Sequence, residues 1–293
     1  MSDKRLREFI KPGDIQTGSV YLVRFPSDEG VSRNSGRPGA SEAPEQILQQ
    51  LLNLTPHPAY FDRHTAFLKN VKITDSVPCS GDVEADQQAL GRIVKEIFSN
   101  QSVPVILGGG HETSFGHFLG YAGAKLPVSI LNIDAHADVR PLKDGLAHSG
   151  SPFRHALEHP SNYCESYSVF GLNPSSVSAE HFRYVNRHGK ALFDRDLKLK
   201  AVKTYLDQYQ QNMIMATMDM DVVRQADAPG VSAPNPSGIS KKKWLDIAFE
   251  LGKSSSVRSF DLCEVNPRFD RDQQTVKLAA LTVWYFLLGL SFR

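Results

Sequence analysis

The apolar positions of this chain fall into short unbroken runs, separated by stretches with helical spacing. Runs rich in β-branched or aromatic residues lie at 20–25, 103–107, 128–133, 167–171, 213–218 and 257–262, and each reads as a buried strand. The clearest helix is 82–98, where Leu90, Ile93, Val94, Ile97 and Phe98 repeat at i, i+3, i+4, i+7 and i+8. Such a stripe faces a core and carries no chemistry of its own. Strands alternating with helices predict a parallel sheet covered on both faces. No internal repeat or low-complexity linker interrupts the pattern, and 293 residues suit one large α/β domain or two small ones. The continuity favours one domain over 1–293.

Three strand-like runs end in residues that bind metals. The run at 103–107 leads into Gly108-Gly109-Gly110-His111-Glu112, that at 128–133 into Asp134-Ala135-His136-Ala137-Asp138, and that at 213–218 into Asp219-Met220-Asp221. In an extended chain residues i, i+2 and i+4 point the same way. Asp134, His136 and Asp138 are therefore expected on one side as their strand runs out, and so are Asp219 and Asp221. Glycine lets the backbone bend sharply ahead of His111. In open parallel sheets, ligand sites lie beyond the carboxyl ends of the strands. Singly, an Asp-x-Asp at a strand end is a turn or a helix cap, and a histidine in a glycine-rich loop is structural. It is the joint occurrence that points to metal.

Two imidazoles and four carboxylates are enough for two divalent ions and metal-activated water. With no cysteine in the set, a thiolate zinc site is disfavoured. Carboxylate-rich sites suit hard ions, and the imidazoles move the choice from Mg²⁺ towards Mn²⁺. Four carboxylates balance two such ions, and a hydroxide nucleophile then leaves the site about one unit negative, which favours a cationic substrate group such as an amidinium.

At these residues the chain resembles the ureohydrolase superfamily of arginases, agmatinases and formimidoylglutamases. Gly108-Gly109-Gly110-His111, Asp134-Ala135-His136-Ala137-Asp138, Asp219-Met220-Asp221 and Glu264-Val265-Asn266-Pro267 stand in the family's order at similar separations. The resemblance implies a three-layer α/β/α sandwich around a mostly parallel sheet, with two manganese ions at the strand ends. His111, Asp134, Asp138 and Asp219 would hold one ion and Asp134, His136, Asp219 and Asp221 the other, Asp134 and Asp219 bridging. Asp138 would also carry a proton to the leaving amine, and Glu264 would accept hydrogen bonds from the substrate's cationic group.

Within the superfamily the chain is most similar to the formimidoylglutamase subgroup. The loop from Asp28 through Arg33, Asn34, Arg37 and Gly39 to Ala40 resembles one of that subgroup, and Arg140 stands where arginases carry an uncharged polar residue. Ser149 occupies the position of the histidine that arginases and agmatinases use as a proton shuttle, while His148 is one residue earlier. The implied reaction converts N-formimidoyl-L-glutamate to L-glutamate and formamide. Arg140 is the candidate for a substrate carboxylate, because its planar fork matches one. Ser149, Asn173, Arg37 and Asn34 are weaker candidates for substrate contact. The alternatives are a guanidine hydrolase releasing urea, a catalytically silent metal-binding paralogue, and a two-metal phosphoesterase. The last has no phosphate-cradling loop to support it.

Composition narrows the remaining classes. A formal net charge of +1 gives no electrostatic reason to expect nucleic acid or membrane partners. The basic run Lys241-Lys242-Lys243 opens a helix and reads as a solvated face. Cys79, Cys164 and Cys263 are odd in number and widely spaced, which fits a reducing compartment. The first residues, Met-Ser-Asp-Lys-Arg, have no apolar core of a secretory signal. A cytoplasmic enzyme acting on a small acidic amidine is the expectation, and an assembly of identical chains is compatible with it. The apolar stretch 278–292 is too short and interrupted to span a membrane and reads as a buried helix or last strand.

Overall fold

The computed structural model describes residues 4–293. Nine strands form one sheet: β1 (Lys11–Pro12), β2 (Val20–Phe25), β3 (Val71–Ile73), β4 (Val103–Gly108), β5 (Val128–Ile133), β6 (Cys164–Leu172), β7 (Ala191–Phe193), β8 (Ile214–Asp219) and β9 (Val257–Cys263). Their order across the sheet is β1-β3-β2-β4-β9-β8-β5-β6-β7, and every ladder between them is parallel. The helices are α1 (Glu29–Arg33), α2 (Ala43–Leu52), α3 (Phe61–Leu68), α4 (Val83–Ser99), α5 (Thr113–Ala124), α6 (Pro152–Leu157), α7 (Ala179–His188), α8 (Leu199–Gln208), α9 (Lys241–Lys253) and α10 (Gln274–Leu290).

The period of two along each strand divides its side chains between two cores. Val20 and Leu22 of β2, Val105 and Leu107 of β4, and Leu131 and Ile133 of β5 meet the layer in which α2, α10, α9 and α8 lie side by side. Tyr21, Val23, Ile106 and Ile130 point to the opposite layer, where α4, α5 and α6 pack in turn. The result is the expected three-layer sandwich. Leu90, Val94 and Ile97 of the predicted stripe are buried. The Asp82 carboxylate accepts the Ala85 N–H at 3.0 Å and caps the helix start. The Lys241 run does open a helix, capped by Ser240.

The apolar C-terminal stretch is the buried helix α10. It packs tightly on α9 at a glycine pair, because a Cβ on Gly252 would lie 2.2 Å from the Phe286 carbonyl and one on Gly289 2.4 Å from that of Phe249. Trp244 of α9 donates its indole N–H to Thr282 of α10 at 2.6 Å. Among the described residues no helix is long and apolar enough to cross a membrane.

One buried histidine far from these motifs carries a stability cost. His64 is fully enclosed, its Nδ1 accepts the His57 N–H at 3.1 Å, and its edge faces the Trp284 ring. Burial, then the neighbouring His57, pull its pKa from 6.5 to about 4. The folded state therefore binds fewer protons than the unfolded one. Stabilisation by neutral His64 is complete above pH 6.5 and is lost as pH falls towards about 4, up to roughly 3 kcal/mol. Urea unfolding at pH 7.5 and pH 5 is expected to show a larger loss in wild-type protein than in His64→Gln. Equal losses would remove His64 from the account.

Candidate active site

The predicted residues emerge from four neighbouring central strands. His111 follows β4, Asp134 to Asp138 follow β5, Asp219 ends β8, and Glu264 follows β9, while the sheet order runs β4-β9-β8-β5. Their carboxyl ends thus meet at one place.

His111, Asp134, Asp138 and Asp219 each bring a ligand atom within 4.8 Å of the others, and so do Asp134, His136 and Asp221. His111 Nδ1 lies 2.9 Å from Asp138 Oδ2, 3.1 Å from Asp219 Oδ2 and 3.3 Å from Asp134 Oδ2. His136 Nδ1 lies 3.0 Å from Asp221 Oδ2 and 3.7 Å from Asp134 Oδ1. Asp134 is common to both groups, whereas Asp219 falls in the first alone. A third triple, His111, Asp261 and Cys263, meets the same limit. There Asp261 is taken up by Thr217 and His117, and burial pushes the Cys263 thiol far up.

The convergence has a different cause from strand alternation. β5 ends at Ile133 and the chain bends at once. Asp134 Oδ1 accepts the His136 N–H at 2.6 Å, and Asp138 sits in the left-handed region at φ 45°. Likewise Asp221 lies in a 3₁₀ turn, Met220–Val222, whose N–H at Asp221 is capped by Asp219 Oδ1 at 2.8 Å. Side chain-to-backbone bonds of Asp two residues on create these turns. Glu264 is also left-handed, at φ 66°, and its N–H bonds the Gly109 carbonyl at 2.8 Å. Non-glycine residues in this conformation gather at functional sites. Gly109 itself admits no side chain, since a Cβ would lie 2.0 Å from the Ser27 carbonyl. That contact seats the 28–40 loop against the strand ends.

The site is crowded with negative charge. Burial, then Asp221 and Asp134, push Asp219 well above the usual carboxylate range. Burial also raises Asp221. Glu264 is pushed up to about 7 by burial, to which Asp221 adds. Beneath it Glu112 is pushed up to about 8 by burial and then Glu264. Burial pulls His111 down, but Asp134, Asp138 and Asp219 outweigh it and hold the imidazole well above its ordinary value. Asp221 does the same for His136 against its burial. Among the described residues the buried Oδ1 of Asp221 has no hydrogen-bond partner. An orphaned carboxylate oxygen among imidazole nitrogens and carboxylates is the donor set of a hard-to-borderline divalent cation, and manganese fits it.

A cavity of about 190 Å³ opens on these groups, lined among others by His136, Asp138, Asp219, Asp221, Glu264, Asn34, Arg140 and Ser149. Arg140 stands exposed at its rim and donates from Nη1 to Asn34 Oδ1 at 2.9 Å. Asn34 in turn donates to Ser149 Oγ at 3.1 Å.

Two expected contacts are not in this cavity. Arg37 spends its guanidinium on the Val231 and Ser232 carbonyls, at 2.6 and 3.1 Å, and lies over the Phe269 ring. Its fork is used to fasten the loop. Asn173 is buried and bonds Asn235 and Ser175. His148 is likewise committed, its Nε2 donating to the Pro141 carbonyl at 3.1 Å and its Nδ1 accepting the Gly150 N–H at 3.2 Å. Both of its ring nitrogens are thus occupied by backbone.

The arginase family profile matches residues 19–289. A formimidoylglutamase of Geobacillus sp. (strain WCH70) is 36% identical over 280 residues, covering 92% of this chain and 83% of that protein. One of Rhodococcus opacus is 34% identical, covering 91% and 84%. The structure of Trypanosoma cruzi formiminoglutamase with Mn²⁺ superposes with a TM-score of 0.90 at 27% identity and full coverage of both chains.

Proposed function

The chain belongs to the arginase family, and from that premise we propose that it is a binuclear manganese hydrolase converting N-formimidoyl-L-glutamate and water to L-glutamate and formamide. One observation supports this substrate above others: a single small cavity has a carboxylate floor and an arginine rim. The substrate has the same polarity, an amidinium at one end and two carboxylates at the other. His111, Asp134, Asp138 and Asp219 would hold one ion, and Asp134, His136 and Asp221 the other. When bound, two Mn²⁺ supply hydroxide near neutral pH, where free water does not.

The chain's own residues do the rest. Glu264 accepts hydrogen bonds from the amidinium and fixes its carbon over the site. Asp138, whose side chain is partly exposed to the cavity, takes up the proton of the attacking water and returns it to the glutamate nitrogen as the C–N bond breaks. Arg140, held by Asn34, binds a substrate carboxylate. Lys143 lines an adjoining hollow that shares Asn34 and Arg140, and the positive potential of Lys143 and Arg140 draws in a dianionic tail.

Arg140→Ala is expected to raise KM for formimidoylglutamate by roughly ten- to a hundredfold, the worth of a charged hydrogen bond, with kcat little changed. Steady-state kinetics give both constants, and an unchanged KM removes Arg140 from substrate binding. The whole reading is tested by incubating Mn²⁺-loaded protein with N-formimidoyl-L-glutamate, arginine, agmatine and 4-guanidinobutyrate and measuring glutamate, formamide and urea. Glutamate with formamide, from the first compound alone, is expected. Urea from a guanidine overturns the substrate, and silence on all four overturns the enzyme.

A further inference from the structure

Behind His111, on the side away from the cavity, runs a chain of buried polar groups that the reaction does not touch. His111 Nε2 lies 3.0 Å from Thr217 Oγ1, and Thr217 Oγ1 donates to Asp261 Oδ1 at 2.6 Å. Ser114 Oγ reaches both Asp261 oxygens, at 3.1 and 3.2 Å. Asp261 Oδ2 pairs with His117 Nδ1 at 2.6 Å, and His117 Nε2 continues to Ser259 at 2.6 Å. Thr217, Asp261, His117 and Ser259 are all 0% exposed.

The direction of the bonds follows from proton counting. An ionised carboxylate only accepts, and a hydroxyl has one proton to give. Paired with His117, Asp261 takes the Thr217 proton. Thr217 can then only accept from His111, so the proton of His111 must sit on Nε2. That leaves Nδ1, the nitrogen facing Asp134, Asp138 and Asp219, as the one free to offer a lone pair to a cation held among them. A ligating histidine is commonly oriented by an acceptor on its other nitrogen. Here a hydroxyl relays that demand from a carboxylate one residue further back.

We propose that Thr217 and Asp261 are positioning residues that hold His111 in the Nε2–H tautomer, so that Nδ1 serves as the ligand of the ion it shares with Asp138 and Asp219. The inference rests on the metal-binding reading above. Its signature is asymmetric, because His136 lies outside this network and the other ion does not depend on it.

The test is Mn²⁺ titration of metal-free wild type, Thr217→Val, Thr217→Ser and Asp261→Asn by calorimetry, with thermal unfolding of each. Thr217→Val keeps the shape and removes the hydroxyl, so it is expected to weaken one of the two binding events by about 10- to 100-fold and leave the other within threefold. Thr217→Ser restores it, and Asp261→Asn weakens the same event. Wild-type affinities in Thr217→Val, or equal weakening of both events without rescue by Thr217→Ser, overturn the inference while leaving the metal site in place. Wild-type protein that takes up no Mn²⁺ overturns both.

Discussion

Asp134→Asn is expected to abolish hydrolysis and to leave the protein unable to retain either manganese ion. Asp134 is the one residue common to both ligand groups, and it is fully buried between them. Its two oxygens are aimed by the chain itself, Oδ1 by the His136 N–H at 2.6 Å and Oδ2 by the Asn132 side-chain amide at 2.8 Å. The amide variant keeps the shape and removes the charge that both ions need. Losing metal assistance removes several kcal/mol of transition-state stabilisation, roughly three orders of magnitude in rate or more. Metal analysis after dialysis against Mn²⁺, with activity in the same samples, checks it. Two retained ions and near-normal turnover would remove Asp134 from the centre of the account.

Glu264→Gln is expected to have the second-largest effect and a different signature. Glu264 lies outside both ligand groups, yet it lines the cavity and accepts the His111 N–H at 2.8 Å. A glutamine oxygen can keep that bond, so manganese content is expected to match wild type. What is lost is the charge-assisted pair with the amidinium, worth about 1.5–3 kcal/mol, or roughly ten- to a hundredfold or slightly more in kcat/KM. The matched measurement is kinetics on metal-replete enzyme. An unchanged kcat/KM makes Glu264 a structural carboxylate that only ties β9 to the loop after β4.

Much of this was readable in the residues because the central strands are buried on both faces. The runs at 20–25 and 128–133 coincide with β2 and β5, and four others differ from their strands only at the ends. Strands β1, β3 and β7, of two or three residues, gave no pattern, because so short a segment has no period. The metal residues were legible as motifs, but the reason for their convergence was not. It comes from Asp-capped turns and left-handed backbone, which an extended-chain rule does not contain. Arg37 and Asn173 carried the right chemistry for substrate contact and proved to be used up by the loops they hold.

The network behind His111 was hidden in plain runs of letters. Ser259 and Asp261 alternate on one face of β9, and Ser114, His117 and Tyr121 recur at i, i+3 and i+7 along α5. A polar stripe inside an apolar strand, matched by one on a helix elsewhere in the chain, is the signal that would have found it. The cost of burying these groups is offset only where each finds a partner. Here they do, from Thr217 to Tyr121.

The most direct test of the account is a Mn²⁺ titration of metal-free wild-type protein that follows ions bound per chain and formamide released from N-formimidoyl-L-glutamate in the same samples. Two ions per chain, with formamide release tracking occupancy of the pair, is the predicted result. Two tightly bound ions without formamide, or formamide from protein that holds none, would contradict it.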